Sequence, residues 1–406
     1  MPSVLRNRSF LFLAASRFLS ASSMMMQSVA IGWQIYALTG KAAYLGYVGL
    51  AQFLPFVALI PLSGQAADRF PRRNILLVCN LAYLVGSMTL LVATLHGTRS
   101  VAPIFAVLVL LGAARAFAMP ASQALLRNVV DDDQFARALP LFTGTFHIAV
   151  VAGPVLGGFL YLLGPAVVHA VVGTGMLASI ALLSRVRVRR VTEPPSPIGW
   201  ASALVGLRFV MSRKALLGAM SLDLFAVLFG GCTALLPAIA KDVLGADPST
   251  LGILRAAPAV GAASMSAWLA RFPLRRRVGA WMFIGVACFG VASIVFGLAT
   301  RAWISLLALV SLGAGDMLSV YVRQYLIQSG TPDALRGRVA AVSSVCIGAS
   351  NELGEFESGI SAGWFGVQRS VVLGGLATLA VTAAWMKAFP MLRYMDRFPA
   401  PVTTGD

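Results

Sequence analysis

Acidic residues are scarce in this sequence. Fifteen Asp and Glu stand against 32 Lys and Arg in 406 positions, and charged residues of both signs make up 12%. Soluble domains carry about 25%, so a soluble enzyme or binding domain of this length is excluded. Histidine is limited to His96, His147 and His169, without an H-E-x-x-H motif, which leaves a metal site little to be built from. No G-x-x-x-x-G-K-[ST] loop is present, so nucleotide hydrolysis does not power the chain. Cys79, Cys232, Cys288 and Cys346 fall singly in apolar segments, without metal-ligand spacing, and read as buried small residues. The expectation is a protein that is not an enzyme and needs no cofactor or metal.

What the sequence does have is apolar length. Hydrophobic residues reach 58%, and mean hydropathy is +0.82. Twelve runs are long enough to cross a bilayer, at about 9–38, 43–66, 74–96, 101–126, 138–162, 165–184, 215–240, 249–270, 278–299, 302–328, 339–365 and 370–389. The first is too long for a signal-peptide core and reads as a retained helix. The net charge of +17 sits in short blocks between these runs, which speaks for a membrane protein's cytoplasmic face rather than for nucleic-acid binding. With the N-terminus inside, 23 Lys and Arg fall on the inner side and five on the outer, placing both termini in the cytoplasm.

Residues 185–214 form the longest loop, with Glu193-Pro194-Pro195-Ser196-Pro197 as a stiff linker. After it Trp200, Leu204 and Leu207 recur at helical spacing, predicting a short amphipathic helix on the cytoplasmic surface. The expected domains are a six-helix bundle over 1–184, this linker, a second bundle over 215–389 and a tail over 390–406. The bundles are related copies. At an offset of 201, Leu111-Gly112-Ala113 matches Leu312-Gly313-Ala314, and Gly153 and Gly158 match Gly354 and Gly359. Such a repeat implies two parallel bundles with a binding site between them near the midplane.

Gly64-Gln65-Ala66-Ala67-Asp68-Arg69-Phe70-Pro71-Arg72-Arg73 resembles the loop between spans two and three of the major facilitator superfamily. Gly153-Pro154-Val155-Leu156-Gly157-Gly158 resembles that superfamily's antiporter signature. Ile31–Thr39 and Asn351–Gly359 are similar to its enterobactin-exporter-like branch, and the likeness spans nearly the whole chain. The resemblance implies an all-α integral membrane fold of twelve helices in two pseudo-symmetric six-helix bundles. It further implies alternating access in the cytoplasmic (inner) membrane. It makes Asp68 a latch on span eleven, with Gly64, Arg69, Arg72 and Arg73 forming the rest of a conformational gate. A role confined to topology would explain Arg72 and Arg73 but not Asp68.

Charges inside the spans are the candidate chemistry, since a charge near the bilayer centre costs at least ~2.5–3.5 kcal/mol. Arg17 corresponds to Asp223 at an offset of about 206, and Arg115 to Asp316 at 201. The resemblance places spans one, four, seven and ten around a central cavity, with a cationic wall from one half and an anionic wall from the other. Proton coupling there is one reading; static salt bridges are the other. A second cluster, Asn351, Glu352, Glu355 and Glu357, lies in span eleven. Glu352 and Glu355 share a helix face, about 60° apart, while Glu357 points about 140° from Glu352. This cluster is either a site for protons or a cationic group, or a polar network between helices. Arg255 in span eight is an expected partner for one of its acids, the alternative being an Arg that snorkels to the surface.

These readings together predict a proton-coupled exporter of a small organic molecule, which the resemblance implies is siderophore-like or an amphipathic drug. It is expected to act as a monomer, with protons, substrate and the bilayer as its partners. An uptake symporter, a lipid flippase of the same fold and a non-transporting sensor or scaffold are the alternatives.

Overall fold

The computed structural model describes residues 4–188 and 200–398, and among them every regular element is helical. The long helices of the first half are α1 Arg8–Thr39, α2 Ala42–Arg69, α3 Arg72–Leu95, α4 Ala102–Arg127, α5 Asp132–Tyr161 and α6 Pro165–Ser184. A short α7, Trp200–Ser212, follows the linker where the sequence period expects it. Then come α8 Lys214–Gly230, a three-residue α9 Leu236–Ala238, α10 Pro248–Arg271, α11 Val278–Leu298, α12 Ala302–Ser329, α13 Asp333–Phe365, α14 Val367–Ala388 and a final turn α15 Pro390–Arg393. Residues 193–197 of the linker lie outside the described residues.

Among the described residues, eleven spans are long and apolar enough to cross a membrane by length and hydropathy. The twelfth expected span is α13. At 33 residues it is long enough, but its acids keep it below the apolar threshold. Its length exceeds the ~20 residues a crossing needs, and only a protein interior or a polar cavity accommodates such a helix.

Local chemistry sets the helix ends. At the start of α1, Asn7 accepts the Phe10 N–H at 3.2 Å, an N-cap. At its end Gly40 adopts φ +62° and returns its N–H to the Tyr36 carbonyl at 2.9 Å, a left-handed cap that favours Gly. The seventh span is broken instead. After Gly231, α8 passes through a 3-10 turn, α9 and one π turn at Ile239–Val243. Such breaks free backbone groups inside a membrane and are tolerated only where neighbouring protein satisfies them.

The chain divides into two compact units. The first comprises residues 1–40, 51–198 and 247–256; the second comprises 41–50, 199–246 and 257–406. In the first, α1 packs on α5 and α6, and α3 on α4 and α6. In the second, α11 packs on α12 and α14, and α8 on α13 and α14. The second unit's core gathers Leu222, Val278, Met282, Val322 and Leu392, each at most 2% exposed. Two cysteines depart from the expected burial: Cys79 and Cys232 are buried, while Cys288 is exposed and Cys346 half-buried.

Candidate functional site

Arg17 and Arg115 both lie in the first unit, each against an aromatic ring. Arg17 on α1 donates from Nη1 to Ser122 Oγ on α4 at 2.8 Å, and its guanidinium lies 4.1 Å above the Phe142 ring of α5. Together the hydroxyl and the ring face compensate part of the cation's lost hydration. Arg115, two turns earlier on α4, lies 5.4 Å over Phe56.

The second unit carries the counterpart. Asp223 on α8 forms an ion pair with Arg323 on α12; the two residues are 5% and 3% exposed. Arg323 was not singled out by the sequence as part of the site, yet two signals point to it. It lies seven residues after Asp316, hence on the same helix face. At the 201 offset it also occupies the position of Ser122. The two halves therefore repeat one polar contact between their first and fourth helices: Arg17 to Ser122 in one, Asp223 to Arg323 in the other. The cation has moved from the first helix to the fourth.

Asp316 has no hydrogen bond or ion pair among the described residues. It lines a cavity of about 10 Å³ together with Asp223, Ser319, Val286 and Phe289. That volume holds about one water molecule. Ser319, on this wall, has its Oγ buried without a hydrogen-bond partner among the described residues. A buried hydroxyl left unsatisfied costs about 1–3 kcal/mol.

The span-eleven acids all lie on α13, Asp333–Phe365. Glu355 packs against α2, where an added Cβ on Gly49 would meet the Glu355 Cβ at 3.2 Å and its Oε2 at 3.3 Å. Glu357 is half-buried on the same helix. Glu352 is half-buried, whereas Asn351 is exposed and donates its side-chain amide to the Ile347 carbonyl of its own helix at 2.9 Å. Gly354 fits between the Val227 and Leu228 carbonyls and the break at Gly231, so the acidic helix leans on the point where the seventh span is interrupted. Arg255 is half-buried on α10, in the first unit.

The glycine signature is a two-sided packing surface. Gly153 and Gly157 meet α1 at Ser22, Met25 and Met26, while Pro154 and Gly158 meet the start of α10 at Pro248 and Gly252. In the second unit Gly359 meets Gly46 of α2 in the same way. Small residues here let backbones touch. Of the expected gate residues, Gly64 and Asp68 have side chains outside the described set, and Arg69 is exposed. Arg72 donates to Asn128 Oδ1 at 2.8 Å and Arg73 to the Val186 carbonyl at 3.0 Å, tying the start of α3 to the ends of α4 and α6.

Comparison with known proteins agrees with this architecture. Residues 2–400 match the transmembrane secretion effector family. A lysophospholipid transporter, LplT, from Photorhabdus laumondii is 27% identical, over 82% of this chain and 84% of its own. The enterobactin exporter EntS of Escherichia coli K12 is 24% identical, over 96% and 94%. Among solved structures the nucleoside transporter NupG superposes with a TM-score of 0.70 at 14% identity, covering 94% of this chain and 99% of its own. A bacterial homologue of the human lysosomal transporter Spinster gives 0.72 at 15%, covering 96% of each. A twelve-helix, multi-pass membrane transporter of the major facilitator type, this chain belongs to the transmembrane secretion effector family.

Proposed function

We propose that the chain exports a small organic molecule in exchange for protons, both termini lying in the cytoplasm, and that Asp316 is the residue that takes the proton. The observation carrying this reading is the chamber shared by Asp316, Asp223 and Ser319. Asp223 is neutralised by Arg323, whereas Asp316 has no cation partner among the described residues. A lone carboxylate in such a space carries its charge at a cost of several kcal/mol, and proton uptake removes that cost. Binding and releasing one proton as the chamber opens to either side is what an antiport cycle requires. Arg17 and Arg115 supply cationic groups for an anionic or catechol-like part of the substrate. The glycine surface of α5 serves as a sliding contact, with the Asp68–Arg73 loop as its latch.

Export, rather than uptake, is favoured by the Gly153–Gly158 signature and by an enterobactin exporter aligned along 96% of the chain. A lysophospholipid is the second substrate class, because a transporter of that lipid is 27% identical. Arg255 is proposed to pair with Glu352 or Glu355 during the cycle. Retained transport in both Arg255→Ala and Glu355→Gln would remove that element.

Inside-out vesicles with an acid interior test the whole reading. Lumenal pH is followed as siderophores, amphipathic drugs and lysophospholipids are added. Proton efflux in the wild type and none in Asp316→Asn is the expected result. Equal efflux in both moves the coupling proton to Glu352–Glu357.

A further inference from the structure

A groove made of two adjoining pockets, which share Ile284 and Ala287, runs along α11 in the second unit. Its first part, about 470 Å³, is lined by Ala280, Phe283, Ile284 and Ala287 of α11 and by Met386 of α14, with Arg277, Arg393 and Tyr394 at its mouth. The second part, about 740 Å³, shares Ile284 and Ala287 and continues past Val291 to Trp303. Each volume lies within the range of small-ligand sites. Ile284, Val291 and Trp303 are 52%, 50% and 58% exposed, so the groove opens away from the packed core.

The two ends differ in charge. The mouth gathers Arg276, Arg277, Arg393 and Arg397 around one acid, Asp396. That acid is already engaged: it pairs with Arg276 and Arg397, and its Oδ1 accepts the Arg277 N–H at 3.1 Å. The N-terminus of α11 is likewise occupied, since the Gly279 N–H goes to the Met395 carbonyl at 3.0 Å. An anion arriving at the mouth therefore meets the Arg277 and Arg393 side chains, not backbone donors. From Arg277 to Ala287 is ten residues, about 15 Å along the helix, which is half of a ~30 Å hydrocarbon core. The groove thus combines a cationic mouth at headgroup depth with an apolar channel one leaflet deep.

We propose that this groove is a binding site for an anionic glycerophospholipid. The phosphate rests on Arg277 and Arg393, and one acyl chain lies along Ala280–Ala287. Basic pockets beside transmembrane helices recognise lipid headgroups in this way, and Tyr394 at the mouth suits the interface. On the orientation proposed above, the lipid belongs to the cytoplasmic leaflet. The site stands apart from the Asp316 chamber and from the transport reading.

Native mass spectrometry of the full chain in detergent tests it, with phosphatidylglycerol or phosphatidylcholine of identical chains added. Wild type is expected to retain phosphatidylglycerol roughly tenfold better. In R277Q/R393Q that preference should vanish while phosphatidylcholine retention stays unchanged. Ala287→Trp, which fills the channel and leaves both arginines in place, should lower retention of both lipids. R301Q, at the opposite end of the groove, should alter neither. Equal retention of the two lipids by wild type would overturn the site, as would an undiminished preference in R277Q/R393Q. Removal of the preference by inorganic phosphate with Ala287→Trp silent would also overturn it, leaving an anion contact without a lipid channel.

Discussion

Asp223 on α8 and Arg323 on α12 form an ion pair in which neither residue is more than 5% exposed. Breaking such a pair from one side leaves an uncompensated buried charge, at a cost of about 3–5 kcal/mol, whereas removing both charges costs far less. Arg323→Gln should therefore unfold at markedly lower temperature than wild type in detergent. Asp223→Asn/Arg323→Gln should recover much of the loss. A single mutant as stable as wild type would mean that water reaches the pair.

Glycines of two kinds make a second test. An added Cβ at Gly158 would sit 2.9 Å from the Gly252 Cα, and one at Gly354 would sit 2.8 Å from the Val227 carbonyl oxygen. In both cases the obstacle is backbone and cannot swing away. Around Gly144 and Gly337, both helical, nothing lies within 4 Å. Gly144→Ala and Gly337→Ala should be neutral or stabilising by up to ~1 kcal/mol. Gly158→Ala and Gly354→Ala should lower the unfolding temperature and slow transport. Similar behaviour of all four would deny the glycine contacts a role.

Asp247 offers a pH test outside the membrane. Its Oδ1 accepts the Thr250 N–H at 2.9 Å and the Ser249 hydroxyl at 2.6 Å, capping α10. These bonds, the Ser249 hydroxyl first, hold its carboxyl below the usual carboxylate range. Because the folded value is the lower one, the stabilisation is fully present above about pH 4. It is lost as pH falls through the folded value. Asp247→Ala should cost about 1 kcal/mol or less at this exposed cap, with the difference from wild type constant between pH 6 and 8 and shrinking in acid. A difference that varies across neutral pH would point to another titrating group.

The fold was legible in the sequence because apolar length and hydropathy dictate spans, whatever their partners. The offset of 201 was equally visible, and it carries further than glycine positions: it relates the Arg17–Ser122 contact to the Asp223–Arg323 contact. What the residues could not show is which charge meets which. Arg17, Arg115, Asp223 and Asp316 read as two opposed walls, because pairing depends on side-chain reach across helices. Arg323 lies seven residues from Asp316 and so on its helix face, but that spacing does not name Asp223 as its partner. Ser319 gave no signal at all, since a hydroxyl in an apolar helix ordinarily bonds its own backbone four residues back, as Ser311 does to Leu307 at 2.8 Å.

Ser319 departs from that habit, and the chamber can be tested through it. Its Oγ is unpartnered on the wall shared with Asp223 and Asp316. If one water bridges these groups, it needs two to four polar partners to stay. Ser319→Ala removes one partner and enlarges the space, so the water remains on the two carboxylates and transport should fall only a few-fold. Ser319→Val keeps no hydroxyl and adds bulk to a cavity of about 10 Å³, so the water is expelled and Asp316 faces a methyl group. Substrate-evoked proton movement should then fall about as far as in Asp316→Asn, although the carboxylate is intact. The comparison is made in the same acid-inside vesicles, on variants matched for membrane abundance. Val and Ala behaving alike would place proton transfer on a route that bypasses the chamber.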